Sequence, residues 1–206
     1  MNNELISKYL DEVIPKPWCE LEFHNDYELL IAIVLSAQTT DKRVNTVTRV
    51  LFDRYTTIEA VSRVEISEIE EMLRPLGTYK KKAIYVSKIA KILSEQYNGI
   101  VPNDRKLLEQ LPGVGRKTAS VFLCEYYNYP EFAVDTHVYR VSKRLGLANK
   151  NDDVLKVESK LKKFFPKNEW GKRHKQIVLF GRYYCKAIKP ECKNCKLKSI
   201  CKKNKV

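Results

Sequence analysis

Lys117 lies in a segment whose residue types could hold an anion and carry out chemistry on it. Two glycines, Gly113 and Gly115, precede it in the string Leu-Pro-Gly-Val-Gly-Arg-Lys-Thr-Ala. Pro-Gly favours the end of one helix, and a second helix can begin at Gly115, where free N–H groups bind anions. A lysine amine there is a nucleophile when neutral, a form that a helix N-terminus and partial burial favour. An ordinary helix–helix turn with a surface lysine explains the same residues, and the spacing is not that of a P-loop.

Four of the six cysteines fall in the last 22 residues, with the spacing Cys-x6-Cys-x2-Cys-x5-Cys. They are Cys185, Cys192, Cys195 and Cys201. Four thiolates in a short segment suit a tetrahedral metal or an iron–sulfur cluster, and the spacing alone does not separate zinc from [4Fe–4S]. Disulfides are the alternative, which a reducing compartment disfavours. Cys19 and Cys124 are predicted to be buried small hydrophobes.

The chain is basic, with 206 residues and a formal net charge of +13. A charge of this size favours a polyanionic partner such as nucleic acid, although it also serves solubility. No apolar run reaches membrane-spanning length and no signal peptide is visible after Met1, so we expect a cytoplasmic protein. Near the C-terminus, lysines outnumber acids and predict a basic surface: Lys186, Lys189, Lys193, Lys196, Lys198, Lys202, Lys203 and Lys205.

The elements that must position these residues are almost all helices. Apolar residues recur at helical spacing along the chain, and no strand alternation is visible. We predict a buried helix over 26–37, a long helix over 79–97 stopped by Gly99, and a last long helix over 170–184. Thr40 or Asp41, Thr57, Ser67 and Thr136 are candidate N-caps. The segment from Cys185 has too few apolar residues to form a core alone.

Four segments, in order, resemble the helix-hairpin-helix DNA glycosylases, and the endonuclease III branch in particular. They are Leu35–Asp41, the hairpin around Lys117, Val134–Val138 and the cysteine segment. The resemblance implies an all-α fold with a DNA cleft between two domains. It predicts a six-helix domain over 20–129, with the motif at about 104–127, and a helical cluster domain over 1–19 plus 130–206, with the loop at 185–201.

The resemblance also assigns roles. Lys117 and Asp135 correspond to the family's catalytic residues, and the four cysteines to the ligands of a [4Fe–4S] cluster. Without the resemblance, an N-cap or pre-cap role is the favoured explanation of Asp135. The family's pattern departs at Thr78, where a bulky aliphatic residue is common, which puts one wedge contact in doubt. The expected DNA-binding residues are Gln38, Leu76, Gly113, Val114, Gly115, Thr118 and His137.

The predicted function is that of a bifunctional DNA glycosylase and AP lyase, which removes oxidised pyrimidines and cleaves 3′ to the abasic site by β-elimination. We expect a monomer that binds double-stranded DNA. Monofunctional mismatch or adenine glycosylases are the first alternative, which Lys117 and the chain end at Val206 disfavour. A non-enzymatic helix-hairpin-helix module would need neither Asp135 nor the cysteines, and a zinc-ribbon-like protein would be colourless.

Overall fold

The computed structural model describes residues 2–202, with side chains from residue 4 onward. Lys203 and Lys205 lie outside the described residues. The described part contains eleven α-helices, one 3₁₀ turn at Lys167–Glu169 and no strand, which confirms the all-α prediction. None of these helices has the length and apolar character that a bilayer crossing requires. The helices are α1 (Asn2–Val13), α2 (Asp26–Leu35), α3 (Asp41–Arg54), α4 (Ile58–Ser62), α5 (Ile66–Leu73), α6 (Tyr79–Gln96), α7 (Arg105–Leu108), α8 (Arg116–Tyr127), α9 (Thr136–Arg144), α10 (Val154–Phe164) and α11 (Trp170–Tyr183).

The chain divides into two compact units. The first, here called the hairpin unit, runs from Cys19 to Tyr127 and contains α2 to α8. The second, the cysteine unit, joins the chain up to Trp18 with the chain from Asn128 onward and contains α1 and α9 to α11. Each unit has its own hydrophobic core.

The hairpin unit is built around α2. Nearly every residue of this helix is buried, because its sequence is apolar on all sides. The side chain of Asn25 accepts the N–H of Glu28 at 3.0 Å and so caps the helix. Asp26, in the first turn, accepts the N–H of Val101 at 2.7 Å and fixes the extended chain that leads into α7. The core thus anchors the segment that precedes the hairpin.

The cysteine unit packs α1, α9, α10 and α11 around a second core. Tyr9 of α1 meets Phe180 of α11 edge to face, with ring centroids 6.0 Å apart. Phe132, in the link before α9, is fully buried and stacks on Phe165. The link that carries Asp135 is therefore anchored by its neighbouring aromatic side chain.

Several helix boundaries differ from the sequence predictions. Helix α2 ends at Leu35 rather than at Ala37, because the N–H groups of Ala37 and Thr39 bond three residues back, to Val34 and Ser36, and Gln38 then turns the chain at φ +55°. Glu65, not Ser67, occupies the N-cap position of α5, although its side chain makes no capping bond. Such shifts of one or two residues are typical where several polar residues compete for one helix end.

Candidate active site and metal centre

The hairpin that precedes Lys117 is fixed by main-chain hydrogen bonds and one close contact. Asp104 caps α7 by accepting the N–H groups of Lys106 and Leu107 at 2.8 and 3.0 Å. Gly113 has φ +80°, and a Cβ built on it would lie 2.6 Å from the ring of Tyr85 on α6. Only glycine fits this position without displacing the ring. The predicted tight turn thus has a packing reason as well as a conformational one.

Gly115 differs from Gly113, because a Cβ built on it would meet nothing within 4 Å. The carbonyl of Gly115 accepts the N–H of Ala119 at 3.0 Å, which closes the first turn of α8. Lys117 and Thr118 belong to that turn, where N–H groups have no acceptor inside the helix. The N–H of Val114 is already bonded to Leu111 at 3.0 Å, and its side chain is buried. Val114 therefore shapes the turn, whereas the space beside Gly115 stays open.

Lys117 is exposed on the surface of the hairpin unit. The partial burial expected for this side chain is therefore not supplied by the described chain. Lys117 is the second residue of α8, so it lies at the N-terminus of that helix.

Gln38 and Leu76 have opposite environments. Gln38 follows the end of α2, has φ +55° and is exposed. Leu76 is only 2 % exposed and belongs to the core of the hairpin unit. Thr78, two residues after Leu76, is exposed and also has φ +55°. A DNA contact through the Leu76 side chain stays a prediction, and it would require that side chain to leave the core.

Asp135 caps α9. Its Oδ1 accepts the N–H of Val138 at 2.7 Å, so the N-cap is Asp135 rather than Thr136. Its Oδ2 has no hydrogen-bond partner among the described residues. One oxygen of Asp135 therefore caps the helix, as an N-cap residue does. The second oxygen of this half-buried carboxylate is not used by the cap.

His137 lies in the first turn of α9 and packs against α11. A Cβ on Gly181 would come within 2.9 Å of its Cβ, so α9 and α11 approach closely there. Burial lowers the pKa of His137. The positive charges of Arg182 and Arg140 lower this pKa further, whereas the carboxylate of Asp135 raises it. The lowered pKa favours the neutral imidazole, whose Nδ1 lies 3.3 Å from a guanidinium nitrogen of Arg140, over a phosphate-binding cation.

The four C-terminal cysteines line one cavity in the cysteine unit, together with Tyr9, Arg144 and Phe180 among others. About 440 Å³ of this region is not filled by atoms, counted out to open solvent. None of the six cysteines forms a disulfide. No group of three or more His, Cys, Asp or Glu side chains between residues 4 and 202 has the geometry of a bound metal ion. Four cysteine thiols that line one cavity are nonetheless the donor set that an iron–sulfur cluster uses.

Two arginines of α9 hold the cysteine segment, and neither was predicted from the sequence. Arg140 donates to the carbonyls of Gly181 and Cys185 at 2.7 and 3.2 Å. Arg144 donates to Cys185 Sγ at 3.3 Å and to the carbonyls of Lys186 and Ala187 at 2.7 and 3.2 Å. Their i, i+4 spacing on the helix that Asp135 caps was the available signal. The segment also contributes Leu197, fully buried, to the core.

Comparison with known proteins decides between the predicted families. Residues 31–167 match the model of the HhH-GPD superfamily of base excision DNA repair proteins. Endonuclease III of Bacillus subtilis is 44 % identical over 193 residues, which cover 94 % of this chain and 88 % of that protein. A trapped endonuclease III–DNA covalent intermediate matches with a TM-score of 0.92 and 47 % identity, over 98 % of this chain and 97 % of that one. A non-covalent endonuclease III–DNA complex matches with a TM-score of 0.94 and 44 % identity, over the full chain and 97 % of that one.

The chain belongs to the endonuclease III family.

Membership in the endonuclease III family makes this protein a base excision repair DNA glycosylase with AP lyase activity. An iron–sulfur cluster is a general property of the family. The predicted fold, function and enzyme class are thereby confirmed. The roles of individual residues, the lesion that is removed and the type of cluster stay predictions, which are argued below from the geometry of each unit.

Proposed function

We propose that this enzyme removes oxidised pyrimidines from duplex DNA and cleaves 3′ to the resulting abasic site, with Lys117 as the nucleophile. The observation that carries the proposal is the exposed Lys117 amine in the first turn of α8, directly after an open glycine. A phosphate held by the N–H groups of that turn would bring the deoxyribose within reach of the amine.

The proposed reaction takes place at C1′ of the deoxyribose. The Lys117 amine attacks C1′ and the base leaves with its bonding electrons and a proton. The nitrogen then loses a proton, the C1′–O4′ bond breaks as O4′ takes up a proton, and C1′=N forms as a Schiff base. The Schiff base acidifies C2′, so that loss of a C2′ proton expels the 3′ phosphate as the C3′–O bond breaks. Water then releases the lysine.

Asp135 is proposed to assist base loss. Positive charge develops on the sugar as the bond to the base breaks, and a carboxylate stabilises that charge. Oδ1 is used by the helix cap, so we assign the interaction to Oδ2. The cap holds the carboxylate in one orientation and prepares it for this role.

The remaining contacts are proposed to position DNA. The damaged base must leave the stack, and the exposed Gln38 side chain fills the vacated space. Gly113, Val114, Gly115 and Thr118 form the phosphate-binding hairpin, in which Val114 acts through the shape of the turn. His137 contributes a neutral hydrogen-bonding ring beside Asp135, and exposed lysines of the cysteine segment contact phosphates. The protein is proposed to act as a monomer.

Cys185, Cys192, Cys195 and Cys201 are proposed to hold a [4Fe–4S] cluster. Their shared cavity, their free thiols and the arginine contacts to Cys185 support this assignment. The cluster would supply a rigid cross-link of the segment rather than a reactant in base removal. In that role it orders the lysines around it for phosphate contacts.

Borohydride trapping tests the proposal. Lys117→Gln should abolish the covalent adduct with duplexes that contain thymine glycol or an abasic site, while DNA binding persists. Asp135→Asn, which preserves the cap, should slow base release about 10²- to 10⁴-fold, yet retain more cleavage on the abasic duplex, where no base has to leave. Lys88→Gln, an exposed lysine of α6, is the matched control. An undiminished adduct in Lys117→Gln would move the nucleophile elsewhere.

A further inference from the structure

Lys82 is a lysine inside the core of the hairpin unit. It lies in the first turn of α6 and is only 3 % exposed. Its Nζ donates to the hydroxyl of Thr39 at 2.8 Å, and its backbone N–H donates to the carbonyl of Thr78 at 3.1 Å. The main-chain bond is the ordinary first bond of α6, which places Lys82 beside the Thr78 turn, and the side chain reaches across to the Gln38 turn.

The environment of this ammonium is unusual for a buried charge. An ammonium has three donors, and the Thr39 hydroxyl accepts one of them. Burial lowers the pKa of Lys82, and no charged neighbour contributes to that shift. A buried lysine without a carboxylate partner is less favourable than an apolar side chain of similar size. Packing alone therefore does not explain a lysine at this position.

The two turns that Lys82 joins share a feature. Each presents an exposed residue other than glycine in the left-handed region, Gln38 and Thr78, both at φ +55°. That conformation is disfavoured for such residues and persists where the surroundings fix it. The Gln38 turn is otherwise closed locally, by the N–H of Thr39 to Ser36 at 3.1 Å. Among the described residues, the Lys82 bond is the one that ties this turn to another helix.

We propose that Lys82 is a positioning residue that couples the Gln38 turn to the Thr78 turn. The coupling holds Gln38 ready to enter the space that a flipped base leaves. This inference rests on the proposed role of Gln38. Loss of the Lys82 side chain should impair base extrusion and excision. General DNA binding should persist, because Lys82 is buried and does not contact DNA itself.

The test uses the full-length enzyme with its cofactor and a duplex carrying 2-aminopurine next to thymine glycol, so that fluorescence reports unstacking. Lys82→Met and Thr39→Val should each lower the fluorescence rise and slow single-turnover base release. The expected slowing is about 10- to 100-fold, as for loss of a hydrogen bond to a charged group. Thr39→Ser, which keeps the hydroxyl, should behave like the wild type. The double variant should be no slower than either single one, because both remove the same bond.

Two controls separate this bond from general destabilisation. Lys88→Met removes an exposed charge from the same helix. Thr48→Val removes a buried hydroxyl that bonds within α3 to Val44 at 3.2 Å. Both should retain wild-type fluorescence and rate, and all variants should bind undamaged duplex within about twofold of the wild type.

The outcomes distinguish the inference from the proposed function. If Gln38→Ala lowers the fluorescence rise but Lys82→Met and Thr39→Val do not, the coupling is wrong and the role of Gln38 stands. If Gln38→Ala itself has no effect, the proposed role of Gln38 is wrong, and the inference that Lys82 positions Gln38 is overturned with it. A loss in Thr39→Ser as large as that in Thr39→Val would also overturn the inference, because it would show that the hydroxyl is not what matters.

Discussion

The hairpin around Lys117 and the segment that carries the four cysteines are held in different ways. The hairpin is closed by bonds between near neighbours, such as Val114 to Leu111 at 3.0 Å, and by the fit of Gly113 against Tyr85. The cysteine segment also has local turns, such as Lys198 to Cys195 at 3.1 Å, but its start is held in addition by Arg140 and Arg144, from more than forty positions earlier in the chain. The hairpin is therefore closed mainly by its own neighbourhood, whereas the cysteine segment depends on long-range side-chain bonds as well.

This difference predicts different sensitivities. A locally closed turn tolerates changes elsewhere in its unit but not at the residues that close it. A segment tied by distant side chains depends on whatever fills the cavity between its cysteines, because metal binding and folding are coupled. Perturbing one region should leave the other in place.

The largest effect is expected from Cys195→Ala. The variant should lose the broad absorbance at about 400 nm expected of thiolate-bound iron, together with its iron, and the cysteine unit should unfold at a lower temperature. Cys124→Ala, a buried thiol of the hairpin unit, should keep both. Iron analysis and thermal melts measure the difference. Stoichiometric zinc without iron in anaerobically purified wild type would contradict the cluster assignment.

The two hairpin glycines provide the next contrast. Gly113→Ala places a methyl group 2.6 Å from the Tyr85 ring at φ +80°, and should destabilise the protein by about 1–3 kcal/mol. Gly115→Ala meets open space, so its stability should change by less than ~1 kcal/mol, while binding to damaged and undamaged duplex weakens because the methyl group blocks the approach of a phosphate. Chemical denaturation and binding titrations separate the two. Wild-type affinity in Gly115→Ala would show that DNA does not approach this glycine.

Asp11 tests the long-range bonding of the cysteine unit. Burial raises its pKa, but hydrogen bonds from Arg173, Lys172 and Gln176 outweigh burial and hold the pKa well below its usual range. A depressed pKa stabilises the fold above the unfolded value, about 3.9, and that stability is lost as the pH falls further. Asp11→Asn should cost roughly 1–2 kcal/mol near neutral pH, below the value for a fully buried pair because Asp11 is 40 % exposed.

Urea unfolding of wild type and Asp11→Asn at several pH values measures this effect. The gap between the two proteins should shrink as the pH falls below about 4. Glu12→Gln, which breaks the exposed pair with Lys196, is the control and should have almost no effect at any pH. A gap that does not change with pH would mean that the charge of Asp11 is not what stabilises α1.

The smallest effect concerns the lysines of the cysteine segment. Lys193 is exposed and forms no ion pair in the described part of the chain, whereas Lys196 pairs with Glu12. Lys193→Gln should lower the slope of log affinity against log salt by about 0.9 if it contacts one phosphate. Lys196→Gln should change the slope less, because its charge is already partly neutralised. Equal slopes for wild type and Lys193→Gln would show that Lys193 does not contact a phosphate.

Much of the fold followed from local patterns. The apolar stretch after Asn25, the glycine that ends α6 and the turn before Lys117 were all predicted from residue types and spacing, because helix periodicity, capping and left-handed glycines are properties of short segments. The four cysteines were found for the same reason, since ligand spacing within a turn-rich segment is visible in the sequence.

The sequence by itself determined the helices, the hairpin and the set of thiols. Only the tertiary structure decided which residues of each turn are exposed: Leu76 points into a core and Thr78 out of it, although the two are neighbours of the same glycine. It also decided that Lys82 is buried against Thr39 and that Arg144 meets Cys185. These are contacts between residues more than forty positions apart, and burial and pairing at such separations depend on how whole helices pack, which no short pattern encodes.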